Sequence, residues 1–134
     1  MRVVLDTNII VSALIQPLGP SAAVFLSAMS GKVKLFVTEP VVSEYEEVIK
    51  RPRLKRDAEV IKKTLAVIRE VGTVVKPDHS VNVSPDPDDN MFLECAEAAE
   101  AEYLVTGNIR HFPKTWKKTH IVTPQEFLMI VAGV

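Results

Sequence analysis

The sequence predicts an α/β protein in which helices cover a mostly parallel β-sheet. Three observations predict it. Short apolar, β-branched runs, "RVVLD", "KLFVT", "TVVK", "YLVT" and "HIVT", recur along the chain. These runs are apolar throughout instead of alternating with polar residues, as strands buried on both faces are. Between them lie longer stretches with helical spacing of apolar residues, and strands alternating with helices build parallel sheets.

Residues 2–6, "RVVLD", form the first strand and end in an acid. "NIIVSALIQ" starts a helix that Pro17 and Gly19-Pro20 break. "SAAVFLSAMSG" reads as a second helix, with Ser21 as N-cap and Gly31 as stop. After "KLFVT", the segment "EPVVSEYEEVIKR" is a helix with Pro40 in its first turn, where a missing N–H costs little. Val41, Val42, Tyr45, Val48 and Ile49 make its apolar stripe. "RDAEVIKKTLAVIREVG" continues as a helix with Val60, Ile61, Leu65 and Ile68 buried, and Gly72 stops it before the weak strand "TVVK".

A polar stretch, Pro77 to Pro87, leads to "DDNMFLECAEAAEAE", a helix from Asp88 that buries Phe92, Cys95, Ala96 and Ala99. "YLVT" is a strand, "GNIRHFPKTWKKT" a basic loop, "HIVT" the last strand and "PQEFLMIVAGV" a terminal helix. At 134 residues, without repeats or low-complexity tracts, the chain is expected to form one domain over residues 1–134.

A net charge of −1 gives no global basic field, so a nucleic-acid partner has to be held by local patches. The lone Cys95 rules out an internal disulfide and fits a reducing compartment. Residues 7–31 lack charge, but Asn8, Gln16, Pro17, Gly19, Pro20 and Ser21 interrupt the apolar run, and Asp6 spoils a signal peptide. A cytoplasmic protein with no membrane partner is the expectation. Nucleotide-binding motifs fail: Leu26 stands where a phosphate-binding loop needs its first glycine, and no GxGxxG or GxSxG occurs.

The acids carry the chemistry. Ligands of open parallel sheets bind beyond the carboxyl ends of the strands, where Asp6 and Thr106-Gly107-Asn108 both fall. Asp86, Asp88 and Asp89 crowd the start of a helix. Capping by Asp86 or Asp88 contributes about 1 kcal/mol, and a dipole contact about 0.3–1 kcal/mol. That accounts for one or two acids of the three. The helix leads into the strand before Thr106, which places its start at the opposite edge of the sheet unless the 77–87 loop carries the acids across. Glu44, three residues after Val41 and four before Val48, borders a buried stripe.

Each acid alone has an ordinary explanation as a turn, cap or edge residue. Together they repel, unless a cation offsets them. A hard divalent ion, Mg2+ or Mn2+, takes such oxygen ligands, polarises a phosphoryl oxygen and lowers the pKa of a bound water. His79, His111 and His120 lack a metal-ligand spacing and receive no catalytic role. With no His, Ser or Cys partner for the acids, metal-assisted phosphodiester hydrolysis is favoured.

"VVLDTNIIVSAL", "EPVVSEYEEVI" and "DPDDNMFLECAEAAEAEYLVTGNIRHF", in this order, resemble the PIN-domain ribonucleases, and most closely the group akin to the VapC toxins of toxin–antitoxin pairs. The resemblance implies a three-layer α/β/α sandwich with about five strands, and a chain order that brings the helix of the third acid to the pocket. It makes Asp6, Glu44 and Asp89 the metal ligands, with Ala96 following Asp89 at the family's spacing. Asn8 and Thr106 become supports, Asp86 an accessory or loop residue, and Asp88 the helix cap.

One departure stands out. Asn108 occupies the position of a fourth family acid. It can ligate through its carbonyl oxygen or orient a water, but adds no charge, which implies a weaker or single-metal site. The resemblance also implies a Mg2+- or Mn2+-dependent endoribonuclease with an antitoxin partner, forming a homodimer. "KRPRLKR" and "RHFPKTWKK" concentrate positive charge. Such runs are commonly solvated faces, but Arg110, Lys114, Lys117 and Lys118 follow the site directly and are the candidate RNA contacts. Phe112 and Trp116 either stack bases or serve packing.

Two other readings compete with this one. A PIN-fold binding module without efficient catalysis is favoured by Asn108 and opposed by the retained Asp6, Glu44 and Asp89. A phosphoacceptor receiver needs an acidic pair and a late lysine, where this chain has Asp-Thr-Asn and Thr-Gly-Asn.

Overall fold

The computed structural model describes residues 1–55 and 57–133, with the side chain of Arg53 also outside the description. A sheet with strand order β3-β2-β1-β4-β6-β5 forms its centre. Its strands are β1 (Arg2–Leu5), β2 (Lys34–Val37), β3 (Thr73–Val74), β4 (Tyr103–Val105), β5 (Thr115–Trp116) and β6 (Thr119–Val122). The first four and β6 run parallel, and β5 is an antiparallel edge on β6. The sequence leads to the five parallel strands; the sixth folds out of the basic loop, turning at Lys117, whose φ is +55°.

Successive strand residues point to opposite faces. Val3, Val4 and Leu5 are all fully buried, so helices cover both faces of β1. These helices are α1 (Thr7–Ile15), α2 (Pro20–Met29), α3 (Glu39–Ile49), α4 (Ala58–Val71), α5 (Pro87–Ala99) and α6 (Pro124–Val131). Helix α5 packs on β1, β2 and β4, while α2 packs against α1, α4 and α6. Tyr45 on α3 is fully buried and donates its hydroxyl to the Leu5 carbonyl, which fastens α3 to the strand that carries Asp6.

Several local expectations change. Gly19, not Ser21, caps α2, because Pro20 takes the first helical position. Gly31 does follow the end of α2, at φ +80°. In α4 Leu65 and Ile68 are buried, but Val60 is exposed and Ile61 is only half-buried. That helix starts behind Asp57, whose side chain accepts from the Glu59 N–H; Arg56, placed in it by pattern, lies outside the described residues. The terminal helix stops at Val131 after a reciprocal Thr123–Glu126 capping box, and Val134 too lies outside the described residues.

The start of α5 also differs. Asp86 is its N-cap, accepting from the Asp88 N–H at 3.0 Å, and Pro87 is its first residue. Asp88 is therefore not the cap. Nor does α5 start at the far edge of the sheet. A crossover helix runs back against its strands, so it begins at the edge where the preceding strand ended. The chain builds outward from β1 through β2 to β3, then returns to place β4 on the other flank of β1. That reversal opens a crevice at the carboxyl ends of β1 and β4. Among the described residues, no single helix is long and apolar enough to cross a membrane.

Candidate functional site

The crevice holds a cavity of about 320 Å³. Five carboxylates line it, from Asp6, Glu44, Asp86, Asp88 and Asp89, together with Asn8 and Asn108; among the described residues no lysine or arginine does.

Asp6 closes β1 and precedes α1, and it is only 6% exposed. Its Oδ2 accepts from Thr106 Oγ1 at 2.7 Å and from Asn8 Nδ2 at 3.1 Å. Asn8 Oδ1 accepts from the Gly107 N–H at 3.0 Å, and Thr106 Oγ1 accepts from the Asn108 N–H at 3.0 Å. Asp6, Asn8 and Thr106 thus form one network across the ends of β1 and β4. Burial raises the Asp6 pKa above its ordinary value; the Thr106 hydrogen bond opposes this and the Asp89 charge adds to it.

Asp89 sits in the first turn of α5, with Oδ2 accepting from Ser84 Oγ at 3.4 Å. Its pKa is raised by burial first and by the Asp86 charge second, with the His111 ring acting the other way. Ser84 is itself fixed by Asn90, a buried side chain that accepts from the Val83 and Ser84 N–H groups at 3.1 and 2.8 Å. Asn90 Nδ2 also donates to the Ser84 carbonyl at 2.9 Å. The loop before α5 is therefore clamped where it delivers the third acid.

Glu44 enters from α3, half-buried at the border of the buried stripe, as its spacing from Val41 and Val48 requires. Burial raises its pKa, and Asp88 is the leading charge that pushes it further, with Arg51 opposing. Asp88 faces Glu44's charge across the cavity, which spacing along the chain did not reveal.

All three shifts have one sign, set first by burial and added to by neighbouring carboxylates. The site's donors are hard oxygens, and among the described residues no lysine or arginine joins them in the lining. That donor set fits a divalent magnesium-like ion. The carboxylates face the cavity without closing on a point. Among the described residues, the one group of three acid or histidine ligand atoms within 4.8 Å of one another is Asp78, His79 and Glu97, elsewhere on α5 and its preceding loop. Magnesium retains several waters and needs only one or two protein carboxylates, so an open arrangement suffices.

His111 was passed over by its sequence spacing, yet its Nδ1 stands 3.6 Å from Asp89 Oδ2. A 3₁₀ turn over Ile109–His111 follows Asn108, and the His111 N–H bonds back to the Asn108 carbonyl at 2.9 Å. Side chains three apart in such a turn share a side, so the spacing of Asn108 and His111 was the available signal.

The basic candidates lie outside the cavity. Arg110, Lys114, Lys117 and Lys118 are all exposed. Lys117 stands 3.8 Å from Glu97, and Lys118 3.4 Å from Glu100. Phe112 is buried, so packing is its role, and the half-buried Trp116 packs on the core under the Lys117 ammonium. In the other basic run, Lys50 pairs with Glu46 and Arg51 with Glu47, while Arg56 and the Arg53 side chain lie outside the described residues.

A sequence model of the PIN domain matches residues 2–110. The chain is 28% identical over 140 aligned residues to the uncharacterized protein MJ1680 of Methanocaldococcus jannaschii, spanning 96% of this chain and 90% of that one. In fold it is similar to the crystal structure of VapBC2 from Rickettsia felis bound to a DNA fragment from their promoter. The TM-score is 0.61 and the identity 16%, over 92% of this chain and 98% of that chain. It is also similar to FitAB bound to the IR36 DNA fragment, with a TM-score of 0.53 and 15% identity over 91% and 94% of the two chains.

Proposed function

Since this chain belongs to the PIN domain family, we propose that it is a metal-dependent endoribonuclease hydrolysing RNA phosphodiesters, and the toxin of a toxin–antitoxin pair. The observation that carries the reading is the crevice at the ends of β1 and β4, with five carboxylates in its lining and, among the described residues, no lysine or arginine.

Asp6, Glu44 and Asp89 are the proposed ligands of Mg2+ or Mn2+. When bound, the ion supplies Lewis acidity to the phosphoryl oxygen and lowers the pKa of a water. The chain does the rest. Thr106 and Asn8 both donate to Oδ2 and so hold the Asp6 carboxylate in one orientation at the cavity. Ser84 does the same for Asp89. Asn108 presents an amide that orients the attacking water without adding charge. Asp86 gives one oxygen to the helix cap, which leaves it an accessory role. Arg110 and Lys114 are proposed to meet RNA phosphates, with Lys117 and Lys118 released from their glutamate partners to join them.

The likeness in fold to VapBC2 and FitAB supports an antitoxin protein as partner. The family resemblance supports a single domain over residues 1–134, a homodimer and a cytoplasmic place of action. Asn108 favours a second reading: a PIN-fold module that binds RNA or protein with little catalysis.

The deciding experiment is incubation of a mixed RNA pool with the purified protein in Mg2+ or Mn2+ against a chelator, beside Asp6→Asn and Asp89→Asn. Metal-dependent cutting lost in both folded variants supports the nuclease. No cutting under either metal supports the binding module.

A further inference from the structure

The proposed chemistry leaves unused a second group of metal-ligating side chains, on the outer face of α5. Asn90, Glu94 and Glu97 recur there at helical spacing and face the 75–86 loop. Asn90 clamps Val83 and Ser84, and Glu94 Oε2 accepts from the Val81 N–H at 3.3 Å. At the next position, Glu97 Oε2 meets His79 Nε2 at 2.6 Å.

We propose that His79 and Glu97, oriented by Asp78, form a site for a borderline transition-metal ion of the Zn2+ class, separate from the acidic cavity. Three observations argue for it. His79, Glu97 and Asp78 each place a donor atom within 4.8 Å of the others, so a small rotation of the exposed His79 ring opens room for an ion between its Nε2 and the half-buried Glu97. Asp78 Oδ1 stands 2.6 Å from His79 Nδ1, on the ring nitrogen opposite Glu97. That is the carboxylate–histidine–metal arrangement, in which the outer carboxylate fixes the tautomer and leaves Nε2 as the ligand. Glu97 Oε1 is buried and has no hydrogen-bond partner, its nearest cation being Lys117 at 3.8 Å.

The surroundings leave room for bound waters and an entry path. A cavity of about 260 Å³ is lined by His79, Glu97 and Glu100 together with Lys117 and Lys118. Another, of about 360 Å³, shares His79 and Glu97 with it and adds Asp78 and Glu94. Imidazole nitrogen suits zinc, nickel and copper, whereas the carboxylate oxygens around Asp6 suit magnesium and manganese, so the two sites favour different ions. An ion here would bind the 75–86 loop to α5, the helix that carries Asp89.

Zn2+ alone, titrated against a chromogenic chelator, tests this without reference to RNA cleavage. In an Asp6→Asn, Asp89→Asn background the protein is expected to take one equivalent of Zn2+, and adding His79→Gln removes it. Unchanged uptake on adding His79→Gln, or no uptake in the background, overturns the proposal. A second measurement needs no variant. The chain has three histidines, and His111 beside Asp89 reports the acidic cavity while His79 reports the new site. Substoichiometric Co2+ is expected to broaden the His79 ring signals in the wild-type NMR spectrum; broadening at His111 with His79 untouched overturns it. In that case His79 is an imidazolium paired with two carboxylates.

Discussion

Thr106 Oγ1 and Asp6 Oδ2 lie 2.7 Å apart, and this hydrogen bond joins residues a hundred positions apart in the chain. It is the strongest geometric constraint on the buried acid, and it opposes the rise in that acid's pKa. Thr106→Val keeps the shape and removes the donor. Loss of a partner that orients a metal ligand typically costs about 10–100-fold in metal affinity or activity. The cleavage rate against Mn2+ concentration is expected to fall within that range, and the melting curve by about 1 kcal/mol. An unchanged rate means that Asp6 needs no such support.

The raised carboxyl pKa of Asp6 makes a statement about the metal-free protein. A carboxyl whose folded pKa lies above its unfolded value binds protons more readily when folded. Its stability contribution is therefore lost as pH rises from the ordinary carboxylate range through the raised value, and the penalty is complete above it. Asp89 acts in the same direction. Metal-free wild type is expected to melt lower at neutral pH than just below that window, while Asp6→Asn loses much of this dependence and melts higher at neutral pH. Thermal melts in chelator across pH measure it. Added Mg2+ is expected to raise the melting temperature of wild type and not of Asp6→Asn.

Asn108→Asp restores a carboxylate to the cavity. Its expected effects oppose each other: metal binding on the order of tenfold tighter, about 1.4 kcal/mol, and a less stable metal-free protein. Calorimetric titration with Mn2+ reads the first and a melt in chelator the second. Tighter binding with no gain in cleavage would move the weakness of the site from the metal to the water.

Asn90→Ala removes three hydrogen bonds at once and leaves the N–H groups of Val83 and Ser84 without their acceptor. Ser84 is buried while Val83 is exposed, so the Ser84 donor is the costly one, at about 1–3 kcal/mol. A loss of about 2–4 kcal/mol is expected in chemical denaturation. Metal affinity should fall with it, since Ser84 holds Asp89.

The strands and helices were legible because their signals are strong and local. Val3, Val4 and Leu5 are β-branched or bulky and uninterrupted, and Glu44 falls beside its stripe by simple spacing. β5 was not legible. Thr115 and Trp116 pair only because β6 lies beside them, and nothing in two residues of a polar loop announces a distant partner. The caps at Gly19 and Asp86 were readable in principle, since Pro20 and Pro87 favour the first helical position and mark the preceding residue. Asn90 and Ser84 were invisible because a side chain folding back on its own loop leaves no periodic trace.

The order of the sheet bears on how the protein is made. β1 is made before the other strands of the sheet, yet it stands inside it with β2 on one flank and β4 on the other. Until residues 103–106 are available, one edge of β1 has no partner and Asp6 lacks the Thr106 hydroxyl. Such long-range pairing is slow and waits on most of the chain. A nascent fragment therefore holds the first acid long before it has a site, and the crevice comes together only once β4 and Thr106 have been made. A polypeptide proposed to cut RNA thus carries no assembled site while the hundred residues between Asp6 and Thr106 are being translated.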